Sequence, residues 1–289
     1  FKQKTAYEIS LGLVGSEMCI RDRIIALLTD FGYADPYVAS MKGVILSING
    51  DARIVDVSHG VPKFDIRSAS YVLYCAYKYF PEGTVFVVVV DPGVGTKRRS
   101  IVVKTRRYFF VGPDNGVLIL AARDDGIEKV VNVTNRKYTR RKVSHTFHGR
   151  DIFAPVAAHI SNGVLVDEFG EAITDYVVPR FAEPVISGRR AEGEVIYIDG
   201  FGNAATNIRV EHVRMLGLEY GDEVKIVIKR EGEEKYYRWR FLPSFGYASK
   251  GRPLLLINSE GFLEIAVNFG NASRELGISI GDRVVVEPL

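Results

Sequence analysis

The chain has 289 residues, of which 47% are hydrophobic and 25% are charged, proportions typical of a globular protein with one large domain or two. No apolar run approaches the roughly 20 residues that a membrane-spanning helix needs, so the sequence excludes an integral membrane protein of that kind. The formal net charge of +3 is too small to indicate a nucleic-acid partner.

Residues 1–23 differ in composition from the rest of the chain. They contain its single glutamine, Gln3, and one of its two cysteines, Cys19, and they lack the continuous apolar core of a secretory signal. They resemble read-through translation of a sequencing adapter, so we expect a non-native leader and a native chain that begins near Ile24. Cys75 then has no partner for a disulfide, which fits a reducing compartment, and we expect a cytoplasmic protein.

Strands and helices alternate in the next part of the chain. The apolar run Ile24–Thr29 predicts a buried strand. A helix should follow, with a cap at Asp35-Pro36 and an end at Gly50, and Asp65 should cap a second helix. Residues 84–90 (TVFVVVV) are apolar on both faces, as in the middle of a parallel sheet. The other elements predicted here are strands at Arg53–Val57, Ser100–Lys104, Tyr108–Val111 and Lys129–Val133, and a helix at Arg150–Ser161.

The pattern changes after about residue 180 to short alternating runs separated by glycine-rich turns, which is typical of a compact antiparallel β domain. The strands predicted there are Glu194–Ile198, Glu223–Ile228, Tyr236–Phe241, Leu254–Ile257, Leu263–Val267 and Arg283–Val286. We therefore expect an N-terminal layered α/β domain with a mostly parallel central sheet (24–182). A smaller, barrel-like antiparallel β domain should follow (192–289), with the boundary in Phe181–Glu192.

Three loop segments carry the residue types of an active site. Asp30-Phe-Gly follows the first strand and Asp91–Arg99 follows the central one, where ligands bind in open α/β sheets. His145–Asp151 (HTFHGRD) lies just before a helix, where backbone N–H groups point outward. Ordinary turn chemistry remains an alternative for either aspartate loop, because Asp, Pro and Gly are the usual turn formers. The zinc hypothesis is weak, since no H-x-x-x-H or cysteine pair accompanies the histidines, and no phosphate-binding P-loop motif is present.

Seven segments, in order from Ile24 to the C-terminus, resemble the S-adenosyl-L-methionine hydroxide adenosyltransferases, the water-using relatives of fluorinating and chlorinating enzymes. The segments are Thr29–Gly32, Asp56–His59, Asp91–Arg99, Gly112–Gly116, Thr146–Asp151, Asp199–Asn203 and Asn258–Gly261. The resemblance implies cleavage of S-adenosylmethionine by water at the ribose 5′ carbon, giving adenosine and methionine. It implies no cofactor, because S-adenosylmethionine is the substrate, and no metal.

The family's proposed catalytic Asp–Arg–His set falls by motif on Asp91, Arg98 and His148. Arg98 could stabilise a developing hydroxide, His148 could accept a proton from water or orient it, and Asp91 could fix their orientation. Which group removes the proton, if any single one does, is left open by the sequence.

The resemblance also implies residues that bind the substrate. Asp30 matches the acid that holds the ribose hydroxyls, and Phe245 or its neighbour Tyr247 is expected to stack on adenine. The backbone at Asn268-Phe269 should read the edge of the base. The positions matching contacts to the amino-acid part or the adenine are Asp199, Asn203 and Ser259. Glu260 stands where halogenating relatives carry an arginine, which puts a contact to the methionine carboxylate there in doubt.

Family members are trimers that hold the substrate between one subunit's N-terminal domain and the next subunit's C-terminal domain, so a homotrimer is expected. Two alternatives remain open: a halide-using enzyme that makes 5′-halo-5′-deoxyadenosine, and a non-catalytic module that binds adenosyl compounds or nucleotides. Nucleic-acid binding through the basic run Arg136–Lys142 is disfavoured, because a single such run is usually a solvated loop.

Overall fold

The computed structural model describes residues 24–230 and 232–289. The expected non-native leader, residues 1–23, lies outside them. The chain divides into two compact units that meet in sequence between Pro179 and Arg180. No helix among the described residues is long and apolar enough to cross a membrane.

The first unit is built on a six-stranded sheet with strand order β2-β1-β3-β5-β4-β6. Its strands are β1 (Ile24–Thr29), β2 (Arg53–Ser58), β3 (Val85–Val89), β4 (Ser100–Thr105), β5 (Phe109–Pro113) and β6 (Ile127–Asn132). Its helices are α1 (Tyr37–Ile48), α2 (Ile66–Tyr77), α3 (Ile119–Asp125) and α4 (Ala154–Ser161). The pairs β1–β2, β1–β3 and β3–β5 are parallel, whereas β4 is antiparallel to both of its neighbours. The prediction of a mostly parallel central sheet is confirmed.

The core of this unit follows from the apolar runs of the central strands. Every residue of β3 is buried, and Val38, Met41 and Ile45 of α1 form a buried stripe at the spacing of three to four residues expected for one helix face. Strands apolar on both faces therefore lie inside the sheet with helices packed against them, as a layered α/β fold requires.

The two aspartates predicted to cap helices behave differently. Asp65 caps α2, since its carboxylate accepts hydrogen bonds from Ser68 N at 3.1 Å and Ser68 Oγ at 2.7 Å. The predicted cap at Asp35 is wrong. Pro36 occupies the cap position of α1 without a side-chain hydrogen bond, and its carbonyl accepts from Ser40 N at 2.9 Å. The helix ends where Gly50 predicts, since Asn49, already extended, is its C-terminal cap and Gly50 follows directly.

The predicted helix Arg150–Ser161 is two structures. A wider π-helical turn covers Gly149–Phe153 and the α-helix proper begins at Ala154. Pro155 has no N–H, so it cannot donate the α-helical bond to the carbonyl of Asp151. That carbonyl instead accepts from Arg140 N at 2.9 Å. The proline thus frees one carbonyl at the start of the helix to hold the preceding loop.

The second unit is an antiparallel β structure with strand order β11-β10-β14-β8-β9-β13-β12 and β7 paired to β8. Its strands are β7 (Val185–Ser187), β8 (Arg190–Ile198), β9 (Ala204–Arg209), β10 (Glu223–Arg230), β11 (Glu233–Arg240), β12 (Pro253–Ile257), β13 (Phe262–Val267) and β14 (Arg283–Pro288). Its helices are α5 (Val210–Met215) and α6 (Ala272–Leu276). Phe241, just beyond β11, bridges to Leu255 of β12, which brings the two ends of the strand order together. The predicted barrel-like antiparallel β fold is confirmed.

Several short elements are absent from the sequence prediction: α3, α5, α6, β7 and β9. Strand β9 (AATNIR) begins with two alanines, which have weak β propensity. It forms because it pairs with β8 and β13 and has five buried residues. The boundary segment predicted at Phe181–Glu192 contains β7 and the start of β8, which pair with each other and belong to the second unit.

Candidate active site

Neighbouring parallel strands of the first unit bring two of the predicted site aspartates to the same edge of the sheet. Thr29, the last residue of β1, is in register with Val89, the last residue of β3. Asp30 therefore leaves the sheet one residue beyond this pair, and Asp91 leaves it two residues beyond. The carboxyl ends of parallel strands form the usual ligand-binding edge of an open α/β sheet.

Asp91, Arg98 and His148 form one hydrogen-bonded set. Arg98 Nε donates to Asp91 Oδ1 at 2.9 Å, and Arg98 Nη2 donates to Asp91 Oδ2, so the pair is bidentate. Arg98 Nη2 also lies 3.0 Å from His148 Nδ1. The side chains of Arg98 and Asp91 are only 10% and 5% exposed, and bidentate pairing of this kind fixes the direction as well as the distance of both groups.

The remaining contacts of Arg98 hold its guanidinium in place. Nη1 donates to the carbonyl of Arg99 at 3.2 Å and to Ser100 Oγ at 3.0 Å. The guanidinium carbon lies 5.3 Å from the ring centre of Phe153, a cation–π distance. Arg98 is thus bound on several sides, and its direction toward His148 follows from the surrounding chain.

The hydrogen bond from Arg98 determines the tautomer of His148. A guanidinium only donates hydrogen bonds, so Nδ1 of His148 must accept, and in the neutral ring the proton is on Nε2. Burial lowers the pKa of His148, and the positive charge of Arg98 lowers it further, against the opposing charges of Asp91 and Asp151. His148 is therefore a neutral imidazole at pH 7 whose Nε2–H is a donor.

Asp151 organises the loop that carries His148. This carboxylate is fully buried and accepts two hydrogen bonds from Arg150, at 2.7 and 2.9 Å, and one from Ser144 N at 2.8 Å. Burial would raise the pKa of Asp151, but the hydrogen bonds from Arg150 and Ser144 outweigh it and hold the pKa below its ordinary value. No role was predicted for Asp151, although it is the last residue of the His145–Asp151 segment.

A close backbone approach joins the Asp91 and His148 loops. Gly95 has a φ of +76°, and a Cβ at this position would lie 2.1 Å from the carbonyl oxygen of His145. Only glycine fits this combination of backbone conformation and contact. A cleft of about 400 Å³ opens beside this junction and is lined by residues that include Thr96, His145 and His148.

Asp30 is held by the turn that precedes α2. It is 5% exposed, and its Oδ2 accepts a hydrogen bond from Phe64 N at 2.8 Å. Lys63 Nζ donates to the carbonyl of Asp30. Phe64 adopts a positive φ of 64°, which is unusual for a bulky residue and is typical of strain retained at functional sites. No hydrogen bond from the described residues reaches Oδ1 of Asp30, so that atom can accept one from a ligand.

An aromatic cluster connects the Asp30 loop to the His148 loop. The rings of Phe31, Tyr37 and Phe147 meet edge to face or tilted, with centroids 5.2–5.8 Å apart. The guanidinium of Arg150 lies over the ring of Phe147, 4.9 Å from its centre. The cluster therefore fixes the predicted ribose-binding loop relative to the predicted catalytic loop.

In the second unit, Asp199 and Asn203 are brought together in the turn between β8 and β9. Asp199 Oδ1 accepts from the backbone N–H groups of Phe201 and Asn203, both at 2.9 Å, and Asn203 Nδ2 donates to Asp199 Oδ2 at 3.0 Å. Ser273 N donates to the carbonyl of Gly202 at 2.9 Å. The turn is thus tied to the segment that follows Phe269.

Phe245 and Phe269 lie on segments joined by Asn268. Asn268 Nδ2 donates to the carbonyl of Ala248 at 2.7 Å, directly after the turn Phe245–Tyr247. Phe269 follows β13 with a φ of +56° and is 85% exposed, whereas Phe245 is 40% exposed. Phe245, one of the two rings predicted to stack on adenine, and Phe269, whose backbone is predicted to read the edge of the base, are therefore both exposed on this unit.

Ser259 lies in the turn before β13, at the other end of that strand from Phe269. Its neighbour Asn258 donates to Glu264 at 3.1 Å. Burial raises the pKa of Glu264, and the charge of Asp199 raises it further, against the bond from Asn258. Glu264 thus contacts the turn of Ser259 and is affected by the charge of Asp199, and no role was predicted for it from the sequence. The sequence feature that could have indicated Glu264 is a single carboxylate within the apolar strand FLEIAV.

No group of three or more His, Cys, Asp or Glu side chains within residues 24–230 and 232–289 is arranged to hold a metal ion.

The first unit brings together four of the predicted site residues around one sheet edge: Asp30, Asp91, Arg98 and His148. The second unit separately assembles the turns that carry Asp199, Asn203, Phe245, Ser259 and Phe269.

Comparisons with known proteins match almost the whole described chain. Residues 25–170 match the SAM hydroxide adenosyltransferase N-terminal domain, and residues 193–285 match the C-terminal domain of the same family. An (R)-S-adenosyl-L-methionine hydrolase of Methanocaldococcus jannaschii is 39% identical, over 91% of this chain and 95% of that protein. A fluorinase of an Actinoplanes species is 29% identical, over 91% of this chain and 97% of that protein. The crystal structure of an uncharacterised conserved protein from Thermotoga maritima has a TM-score of 0.81 and 41% identity, covering 91% of this chain and 99% of the other.

Proposed function

The chain belongs to the SAM hydroxide adenosyltransferase family, and we therefore propose that it hydrolyses S-adenosyl-L-methionine at the ribose 5′ carbon, giving adenosine and L-methionine. The observation that carries the proposal is the set formed by Asp91, Arg98 and His148, joined by hydrogen bonds of 2.9 and 3.0 Å at the carboxyl end of the sheet.

The proposed reaction is a substitution in one step. A water oxygen forms a bond to the 5′ carbon, the bond from that carbon to sulfur breaks, and its electron pair neutralises the sulfonium, so methionine leaves as a neutral thioether. One proton is released from the attacking water. The leaving group needs neither a general acid nor a cofactor, and the protein's task is to orient the water and favour its hydroxide-like form.

The proposed roles of the three residues follow from their hydrogen bonds. His148 cannot take the water's proton on Nδ1, because that nitrogen accepts from Arg98, and its Nε2 carries a proton of its own. We propose that Nε2–H donates to the water oxygen and orients it. Arg98 supplies the positive charge that favours developing hydroxide, and Asp91 fixes the guanidinium. The proposal therefore gives His148 no general-base role and releases the proton to solvent.

The binding roles are proposed from the family resemblance and the local geometry. Asp30, with Oδ2 held by Phe64 N, would accept the ribose hydroxyls on Oδ1. Phe245 or Tyr247 would stack on adenine, and the backbone at Phe269 would read its edge. Contacts to the amino-acid part or the adenine are proposed for Asp199, Asn203 and Ser259.

We also propose that the protein works as a homotrimer in the cytoplasm. Light scattering coupled to size-exclusion chromatography would measure the mass directly. A mass near three times 32.2 kDa is expected, and a monomer at micromolar concentration would contradict the proposal.

Product analysis tests the function. The protein is incubated with S-adenosylmethionine in ¹⁸O-labelled water, with and without chloride or fluoride. The products are separated by chromatography, and their masses are measured by mass spectrometry. Adenosine with one ¹⁸O in its 5′ hydroxyl, formed without halide, is the expected product. A 5′-halo-5′-deoxyadenosine would instead show a halide-using enzyme like the fluorinase relative.

The same assay separates an enzyme from a non-catalytic binding module. A module that binds adenosyl compounds would retain affinity for S-adenosylmethionine and give no product at any enzyme concentration. A rate proportional to enzyme concentration, lost in Arg98→Ala, is the outcome expected here.

A further inference from the structure

A buried histidine, His59, lies between a carboxylate and a threonine next to the Asp30 loop. It is 2% exposed and Thr29 is fully buried. His59 Nδ1 lies 2.8 Å from Thr29 Oγ1, and His59 Nε2 lies 3.0 Å from Asp56 Oδ1, a close contact without the geometry of a hydrogen bond. On its other oxygen, Asp56 accepts from Lys42 Nζ at 2.7 Å and from Tyr33 at 3.0 Å.

Asp56, at one end of this chain, is held as a carboxylate by its neighbours. Burial would raise the pKa of Asp56, but its contacts with Lys42, His59 and Tyr33 outweigh it and hold the pKa below its ordinary value, so Asp56 is a carboxylate that only accepts. His59 lies between this carboxylate and the Thr29 hydroxyl. The Thr29 oxygen in turn accepts from Phe31 N at 3.2 Å.

Two of these contacts end on the backbone around Asp30. Thr29 Oγ1 binds the N–H of Phe31, and the carbonyl of His59 accepts from Gly32 N at 2.8 Å. Thr29 thus holds the N–H of Phe31, and His59 holds the N–H of Gly32. The side chains of Thr29 and His59 are too buried to touch a substrate. Any role they have in the reaction must therefore act through the Asp30 loop.

We propose that His59 is a positioning residue: the chain Asp56–His59–Thr29 fixes the backbone of Asp30 so that its carboxylate meets the ribose hydroxyls of the substrate. The inference deepens the proposed function and rests on the role proposed there for Asp30. Three hydrogen bonds tie this chain to the Asp30 loop: Thr29 Oγ1 with His59 Nδ1, Phe31 N with Thr29 Oγ1, and Gly32 N with the carbonyl of His59.

The test measures ribose recognition without turnover. Equilibrium binding of adenosine and of 2′,3′-dideoxyadenosine is measured by calorimetry for the full chain and three variants. Thr29→Val keeps the shape and removes the hydroxyl, Thr29→Ser keeps the hydroxyl, and His59→Gln removes the ring.

We expect the parent protein to bind adenosine about tenfold or more tightly than the dideoxy compound, since a hydrogen bond to a charged group contributes that much. Thr29→Val and His59→Gln should lose most of this preference by weakening adenosine alone, and Thr29→Ser should keep it. In an Asp30→Asn background, Thr29→Val should have no further effect on the preference.

Other outcomes overturn the inference in distinguishable ways. If Thr29→Val and His59→Gln keep the preference, or weaken both ligands equally, the chain does not position Asp30, while the hydrolysis assay still stands. If the parent protein shows no preference, the ribose role of Asp30 is wrong and the inference fails with it. Should Thr29→Val not fold, His59→Gln and its combination with Asp30→Asn give the same decision.

Discussion

At the scale of single residues, the geometry of the candidate site depends most on Arg98. Its guanidinium donates to Asp91, to the carbonyl of Arg99, to Ser100 and toward His148. A lysine presents one compact ammonium and cannot make these planar, divergent contacts together. The state of His148 is therefore a consequence of Arg98, because the same guanidinium supplies the bond to Nδ1 and part of the electrostatic lowering of the pKa.

The chain offers a matched pair of histidines for a test at this scale. His148→Ala should lower kcat for S-adenosylmethionine hydrolysis by roughly 10²-fold or more, because the residue proposed to orient the water is removed. His145→Ala, three residues away on the same loop and exposed, should stay close to the parent rate. Its contact with Gly95 runs through the backbone carbonyl and survives the substitution. Steady-state kinetics with comparable folding of both variants would decide, and equal losses would remove the special role of His148.

At the scale of elements, the close approach of two loops at Gly95 sets the distance between Asp91 and His148. Gly95→Ala places a Cβ against the carbonyl of His145, 2.1 Å away before any adjustment, so one loop must move. A displacement of about 1 Å at a catalytic group can lower a rate roughly 100-fold, and a loss of that order in kcat is expected.

Gly217→Ala is the control for Gly95→Ala. Gly217 has a similar φ of +72° and nothing within 4 Å of the added Cβ, so it should cost only about 1–2 kcal/mol of left-handed strain and leave kcat unchanged. If both variants keep the parent kcat, the contact between the two loops does not set the catalytic geometry.

The two candidate helix caps give a second test at this scale. Asp65→Ala should lower the free energy of unfolding by about 1 kcal/mol, because it leaves the N–H of Ser68 without its cap. Asp35→Ala should change it by less than about 0.5 kcal/mol, since Asp35 is exposed and makes no cap to α1. Urea unfolding followed by circular dichroism measures both, and a larger loss for Asp35→Ala would contradict the assigned start of α1.

At the scale of the whole molecule, three half-buried histidines determine part of the pH dependence of stability. Burial lowers the pKa of His148, His159 and His212 below the ordinary value of 6.5. The unfolded chain therefore takes up protons at these sites near pH 6.5, while the folded chain binds them only at lower pH. Linkage then requires the free energy of unfolding to fall as the pH drops below about 6.5.

Thermal or urea unfolding between pH 7.5 and pH 4.5 measures this loss. His159→Gln should reduce it, because the variant lacks one of the three groups. Below about pH 4 a second loss is expected, since the pKa values of Asp56, Asp125 and Asp151 are also lowered, and protonating these carboxylates opposes folding. Glu264, whose pKa is raised, acts in the opposite direction. A stability that is constant or rises from pH 7 to pH 5 would contradict the prediction.

The sequence by itself determined the fold class, most strands and the identity of the candidate residues. Strands such as β1 and β3 were predictable because an uninterrupted apolar run can be satisfied only inside a sheet. Asp91, Arg98 and His148 were named through the resemblance of their segments to a known family, whereas the residue patterns alone predicted only an active site at the ends of the strands.

The tertiary structure alone decided how those residues meet. The tautomer of His148 follows from Arg98, 50 positions away in sequence, and the support of Asp30 comes from Phe64 and, through Thr29, from His59. Strand β9 and the π-helical turn at Gly149–Phe153 likewise depend on partners distant in sequence or on a carbonyl that Pro155 cannot satisfy. Local patterns record propensity and residue type, whereas hydrogen-bond direction, pKa and strand pairing depend on groups that only folding brings together.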